Sequence, residues 1–346
     1  MQSGRGRVVR LAVVVVCVAW VAWIVSSLGP GRVWHVARQA DPTLLALSFL
    51  PIVGRFLIWA VKWTLMLRRR GPIAFGHVTL ALLSGNFVNL TTPTAKLAGG
   101  FVRAALVDRR TGWGFAPTYG WSFADQFTNV FGNLALYGAL ALTAGFTVAP
   151  GGTRVGFLAS GSAALAVVTA MVAARGWVWT LVQKPAVARF MARFTPERFR
   201  SVGEATWVRP VFEPLLHVGR TSRVAPQDLG LGALSFGALC LANALVLQAL
   251  GSDAPLARIG IAVVIGYFAG SVLGTLGGIG VTEVALIKLY GMAGVSPEIA
   301  AAGALLHRAS YYAVILSGGG ASLLLATARS RDPEGVVRTE RDGPGR

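Results

Sequence analysis

Long apolar runs, separated by short clusters of basic residues, dominate this chain. A helix needs about 20 apolar residues to cross the hydrocarbon core of a bilayer. The first run lacks a small-residue cleavage site, which predicts an uncleaved anchor. The pattern predicts an all-α polytopic membrane protein with about six full spans, at residues 8–28, 44–66, 119–148, 155–182, 229–250 and 299–326.

A shorter apolar run, residues 74–90, leads into a segment that breaks any continuous helix at Pro93, Gly99 and Gly100. The apolar stretch after it is too short to span and ends in another basic cluster. Irregular backbone at membrane depth must be buried in protein or line a cavity. We therefore expect a re-entrant helical hairpin that enters from the cytoplasm.

The second half of the chain contains a similar interruption. The apolar run 259–276 reaches Gly277, Gly278 and Gly280, and a short apolar segment follows. This unit is either a second re-entrant hairpin, entering from outside, or an ordinary span followed by an interfacial helix at 281–290. The charges of the flanking loops favour the hairpin.

Basic residues lie in alternate loops, as expected from the excess of Lys and Arg in cytoplasmic loops. The longest connection, residues 183–228, holds eight basic residues against four acidic ones. We predict that this connection and both termini are cytoplasmic, in a multi-pass protein of the cell (plasma or inner) membrane. The loops at 149–154, 251–258 and 293–298 are then external.

These assignments predict one transmembrane domain, residues 1–327, followed by a polar cytoplasmic tail at 328–346 that we expect to be disordered. The halves 1–148 and 155–327 each contain long spans and one broken hairpin in opposite orientations. Inverted repeats with broken helices at corresponding positions are typical of transporters whose site lies near the bilayer midplane.

The composition excludes several other functions. Apolar residues make up 54% of the chain and charged residues 13%, which is too few for a soluble surface. The net charge of +18 is spread between apolar runs, and this distribution argues against nucleic-acid binding. Cys17 and Cys240 lack metal-ligand spacing, and the sequence holds no nucleotide-binding or protease motif. We expect no enzyme activity, cofactor or metal.

The late part of the chain resembles the lysylphosphatidylglycerol synthase transmembrane region, also called the flippase-like domain. The resemblance rests on a Gly-Gly-x-Gly-x-x-Glu turn, a short helix, a Gly-Val pair and an Arg in the last span. These positions are Gly277, Gly278, Gly280, Glu283, Gly294, Val295 and Arg308.

An earlier stretch resembles the first motif of the same family less closely. Gly100 stands where the family has Glu, and Leu276 replaces a Pro before the second glycine pair. The family's acidic-Arg-x-x-Asp element reads Asp125, Gln126 and Asn129 here. The matching early positions are Pro93, Gly99, Arg103, Arg109 and Arg110.

The resemblance implies lipid translocation. Bifunctional members carry a soluble aminoacyl-transfer domain after the membrane part, whereas only a short polar tail follows the last span here. The expected ligands are membrane lipids with an anionic or phosphate-bearing headgroup. The alternatives are a non-catalytic subunit that supports a lipid-modifying or glycosyltransferase enzyme, and a small-solute secondary transporter. A partner enzyme or homo-oligomer is also compatible with the sequence.

Ionisable residues within spans are the candidate substrate-binding groups, because their burial is costly. We expect Glu283 to pair with Arg308 or Arg103, or else to cap its own helix. Asp125 is a second candidate, with a polar network within the bundle as its alternative. Lys96 and Arg103 either contact phosphate or extend to the membrane interface.

The working site is predicted where the two broken hairpins approach each other near the middle of the bilayer. Five further ionisable residues are interpreted as interfacial side chains whose polar ends reach the headgroups. They are Arg55, Lys62, His77, Lys288 and His307.

Overall fold

A computed structural model describes residues 23, 26, 29–92, 97–147, 151–173, 225–272 and 280–328. Most of the predicted span at 8–28, nearly all of the connection at 183–228 and the tail after residue 328 lie outside these residues. The described residues form helices and contain no strand, which confirms the all-α prediction. The helices are α1 (Pro30–Arg38), α2 (Pro42–Arg68), α3 (Phe75–Thr91), α4 (Leu97–Thr111), α5 (Phe115–Thr147), α6 (Gly151–Ala173), α7 (Ala225–Ala249), α8 (Leu256–Val272), α9 (Val281–Met292), α10 (Pro297–Val314) and α11 (Gly320–Ala328), with a π-helical turn, Ile315–Gly319, joining the last two.

Five helical segments in the described part of the chain are long and apolar enough to cross a bilayer. They coincide with five of the six predicted spans, and the number of spans in the whole chain stays a prediction. The segments are Pro42–Arg68, Phe115–Thr147, Thr153–Ala173, Pro226–Ala249 and Pro297–Ala326.

Helices α2 and α7 form an antiparallel pair at the centre of the bundle. At one end, the Asp41 carboxylate caps α2, and the Asp41 N–H donates to the Ala249 carbonyl at 2.8 Å. At the other end, Arg69 binds the buried Asp228 carboxylate through two nitrogens at 2.8 and 2.9 Å. The pair is therefore fixed at both ends, and α3, α5, α8 and α10 pack directly against it.

Helices α3 and α4 pack against each other as a hairpin. Gly99 contacts the Gly85 carbonyl and the Asn89 side chain so closely that a Cβ would find no room, and the Gly99 N–H donates to Asn89 Oδ1 at 2.8 Å. Of the residues predicted to break the helix, Pro93 lies outside the described residues, whereas Gly99 and Gly100 lie in the first turn of α4. The re-entrant placement of this hairpin stays a prediction.

Helices α8 and α9 pack against each other where the second hairpin is predicted. Gly280 has a φ of 82°, a left-handed conformation that favours glycine, and α9 begins directly after it. Gly277 and Gly278 lie outside the described residues. Leu286 and Tyr290 of α9 are fully buried, which favours a packed hairpin over an interfacial helix. The inverted orientation of the two halves stays a prediction.

Candidate functional site

The carboxylate of Asp125 lies at the centre of one buried cluster, which we call the Asp125 cluster: Trp59, Lys62, Arg103 and Asp125. Lys62 Nζ lies 3.1 Å from one carboxylate oxygen, and Arg103 Nη2 donates to the other at 2.7 Å. Trp59 Nε1 donates to the same carboxylate at 2.9 Å. Two cations therefore share one carboxylate.

Three helices position this cluster. Trp59 and Lys62 are three residues apart on one face of α2, Arg103 comes from α4 and Asp125 from α5. The Arg103 guanidinium lies over the Trp63 ring at 3.9 Å, a cation–π contact. The hairpin glycine Gly85 makes room for the Arg103 side chain, since a Cβ there would meet Arg103 Cγ.

A second buried cluster, the Glu283 cluster, contains Gly280, Glu283, Arg308 and Tyr312. Arg308 Nε donates to Glu283 Oε1 at 2.7 Å, and the Gly280 N–H donates to Oε2 at 2.7 Å. The Tyr312 hydroxyl contacts both Arg308 and Glu283. Glu283 thus caps α9 and pairs with Arg308 at once, whereas the predicted capping and pairing roles were alternatives.

A buried polar network lies next to the Glu283 cluster, with Tyr267 of the network beside Arg308 of the cluster. The His307 ring contacts the Asn243 amide nitrogen at 3.1 Å and the Tyr267 hydroxyl at 3.3 Å, and the Tyr290 hydroxyl donates to Asn243 at 2.7 Å. His307 is 1% exposed. The prediction of an interfacial His307 was therefore wrong, because tyrosines and an amide from neighbouring helices satisfy the ring.

A cavity of about 420 Å³ lies between the two clusters, and we call it the central cavity. Trp59 of the Asp125 cluster and Arg308 of the Glu283 cluster both line it. Gly100, where the sequence resemblance expects Glu, lines it as well. No Asp or Glu is among its described lining residues.

Arg55 is the second cation that lines the cavity. Its guanidinium lies between the rings of Phe236 and Tyr311, at 5.1 and 5.6 Å from their centroids. Its Nε and Nη1 atoms are buried and have no hydrogen-bond partner among the described residues. The cavity lining and the two clusters together contain four cations and two carboxylates, a net charge balance of +2. These residues are Arg55, Lys62, Arg103 and Arg308, and Asp125 and Glu283.

Exposed apolar side chains also line the central cavity. Phe123 is 38% exposed, Val130 is 48% exposed and Phe268 is 57% exposed. These residues belong to α5 and α8. The cavity therefore combines a polar, cationic interior with an apolar edge on the outer surface of the bundle.

The structure brings some of the predicted site residues together and separates others. Glu283 meets Arg308, but Arg103 meets Asp125 instead of Glu283. Lys96 lies outside the described residues. Among the residues that the structure describes, no three His, Cys, Asp or Glu side chains come together as a metal site.

Sequence reasoning missed Arg55 and Lys62, which it assigned to the membrane interface. Lys62 is fully buried and paired with Asp125. Arg55 points into the central cavity. The available signal was their position inside an apolar span, where a cation needs a partner.

Residues 7–319 match the family described as the lysylphosphatidylglycerol synthase TM region. A UPF0104 membrane protein of Pyrococcus horikoshii is 22% identical over 329 residues, covering 90% of this chain and 95% of that protein. The family match extends over the two clusters and the helices around the central cavity.

Proposed function

This chain belongs to the family of the lysylphosphatidylglycerol synthase TM region, and on that premise we propose that it is a translocase that moves an anionic lipid headgroup between the leaflets of the cell membrane. The headgroup occupies the central cavity, and the acyl chains stay in the bilayer. The chain acts without a nucleotide-binding site of its own. Both termini and residues 183–228 face the cytoplasm.

The observation that carries this proposal is the combination of a cationic interior and an apolar edge. Arg55 and Arg308 line the cavity, and no carboxylate lines it among the described residues. A phosphate offers the charge and the acceptor oxygens that a guanidinium binds. The exposed Phe123, Val130 and Phe268 supply an apolar surface for the chains attached to that phosphate.

The two buried clusters keep this arrangement in place. Glu283 holds Arg308 by a direct ion pair, and Asp125 holds Lys62 and Arg103 beside the cavity wall. Arg55 is held by aromatic rings and has no such carboxylate among the described residues. It is therefore the cation that gains most from an incoming phosphate, since a buried charge without a counter-ion is costly.

The same observation separates the translocase from its alternatives. A small-solute transporter encloses its ligand, so an apolar edge on the outer surface of the bundle would serve no purpose. A purely supporting subunit has no use for a guanidinium without a counter-ion inside the bundle. The proposed translocase accounts for both features, and it can still work beside a partner enzyme or as a homo-oligomer.

Reconstitution into liposomes tests the proposal. Phosphatidylglycerol labelled on an acyl chain with a fluorophore is placed in both leaflets, and dithionite quenches the outer leaflet. Wild-type protein should expose nearly all of the probe, and empty liposomes about half. Arg55→Gln should slow exposure at least tenfold.

The matched control is Arg110→Gln, which removes a cation from an exposed position at the end of α4. This variant should behave as wild type. Exposure of only the outer-leaflet probe by wild-type protein, in liposomes that demonstrably contain folded protein, would refute the translocase.

A further inference from the structure

Five carboxamide side chains line the central cavity: Asn86, Asn89, Gln126, Asn129 and Asn133. Those on α5 are spaced three and four residues apart and so share one face of that helix. Asn86 and Asn89 come from α3. This is an unusual density of amides for the interior of an apolar bundle, where each polar group needs a partner.

Protein contacts occupy only part of their hydrogen-bonding capacity. Asn129 Oδ1 accepts from Lys62 at 2.6 Å and Asn89 Oδ1 accepts from Gly99, while neither amide nitrogen donates to another described residue. Asn133 Oδ1 is buried and has no hydrogen-bond partner in the described part of the chain. The cavity thus presents unused N–H donors together with an unused carbonyl acceptor.

This mixture distinguishes among headgroups. A phosphate oxygen accepts hydrogen bonds and can use the N–H donors, but it cannot donate to Asn133. A hydroxyl both donates and accepts. An ammonium donates, but it would add a positive charge to a region that already carries a balance of +2, and like charges disfavour binding.

We propose that the central cavity selects phospholipids whose headgroup is a polyol or sugar joined through a phosphodiester, with the phosphate at Arg55 and the hydroxyls at Asn129 and Asn133. The inference rests on the proposed translocase activity. The absence of a carboxylate among the described lining residues, including Gly100 at the family's Glu position, agrees with exclusion of cationic headgroups.

A series of matched lipids tests the inference in the same proteoliposomes. Phosphatidylinositol, phosphatidylglycerol and phosphatidylmethanol are all monoanionic phosphodiesters and differ in their free hydroxyls, while phosphatidylethanolamine adds an ammonium. Each carries the same acyl-chain fluorophore. We expect phosphatidylinositol to move roughly tenfold faster than phosphatidylmethanol, the effect of one or two net hydrogen bonds, and phosphatidylethanolamine to move slowest.

The variant Asn133→Leu removes the unused acceptor at similar volume. It should keep or raise the melting temperature, because an unsatisfied buried oxygen is lost, and it should reduce the rate ratio of phosphatidylinositol to phosphatidylmethanol. Equal rates for these two lipids in wild-type protein, or fastest movement of phosphatidylethanolamine, would overturn the headgroup inference and leave the translocase standing. Movement of no probe would overturn both.

Discussion

Replacing Asp125 with Asn is the sharpest test of how the bundle tolerates buried charge. The substitution keeps the size of the side chain and removes its negative charge. Lys62 and Arg103 then remain buried without the carboxylate that both contact, at 3.1 and 2.7 Å. The new amide group also directs N–H donors towards groups that are themselves donors.

The magnitude follows from the burial of all three partners. Asp125 and Lys62 are fully buried and Arg103 is 1% exposed, so water cannot replace the lost carboxylate. Breaking a buried ion pair from one side costs about 3–5 kcal/mol. Because the entropy of unfolding is about 2.1 cal/mol/K per residue, or roughly 0.7 kcal/mol/K for 346 residues, the melting temperature should fall by about 4–7 °C.

The measurement is thermal unfolding of purified protein in detergent, followed by loss of the monodisperse size-exclusion peak. The control is Asp253→Asn, which removes a carboxylate from an exposed loop and should leave the melting temperature unchanged. The double substitution Asp125→Asn with Lys62→Met removes one of the two unpaired cations. It should regain part of the lost stability.

Two results would refute this reasoning. The first is a melting temperature for Asp125→Asn equal to that of wild type, which would mean that the cluster is hydrated or that its cations find other partners. The second is a double variant less stable than the single one. That would show that Lys62 contributes mainly through its bonds to the Asp125 carbonyl and Asn129.

Three further predictions follow from other parts of the structure. Glu283→Gln should stay folded, since a Gln oxygen can still accept from the Gly280 N–H. It should slow lipid movement, because Arg308 loses its counter-ion. Unchanged lipid movement would mean that Glu283 is a helix cap only. Gly99→Ala should lower the free energy of unfolding by about 1–3 kcal/mol through overpacking against α3. The control Gly54→Ala has open space around the new methyl group and should not lower it. Equal melting temperatures for these two variants would contradict the close contact at Gly99. A thiol probe should label Ser296→Cys from outside the cell, in a background without native cysteines; labelling only from the cytoplasm would remove the inverted-repeat prediction.

The helical architecture was predictable because apolar run length and helix breakers are properties of local sequence. The glycines at the predicted breaks have visible structural reasons. Gly99 permits close approach of α3 and α4, and Gly280 adopts a positive φ at the start of α9. A Glu near the N-terminus of a short helix predicted the cap, and an Arg in the last span predicted its partner.

The positions of the charged groups of the long Lys and Arg side chains were not predictable from one sequence. A Lys or Arg in an apolar span can extend to the headgroups or turn inwards, and its flexible stem allows both. The neighbouring helices decide the outcome. Lys62 forms an ion pair with Asp125 of α5 inside the bundle. Arg55 contacts the rings of Phe236 of α7 and Tyr311 of α10 at the cavity. The amide side chains of α5, Gln126, Asn129 and Asn133, recur every three or four residues in the sequence, although only the packing shows that they line a cavity.

The contrast between Arg55 and the paired cations separates stability from function in this bundle. Lys62, Arg103 and Arg308 each have a carboxylate within 3.1 Å, so their burial is explained by the folded state alone. Arg55 has aromatic neighbours and two unpaired nitrogens, and so the described part of the fold does not explain its position. Variants of Asp125 should therefore act first on the melting temperature. Variants of Arg55 should act on lipid movement and leave the melting temperature equal or higher, because the charge they remove has no counter-ion to lose.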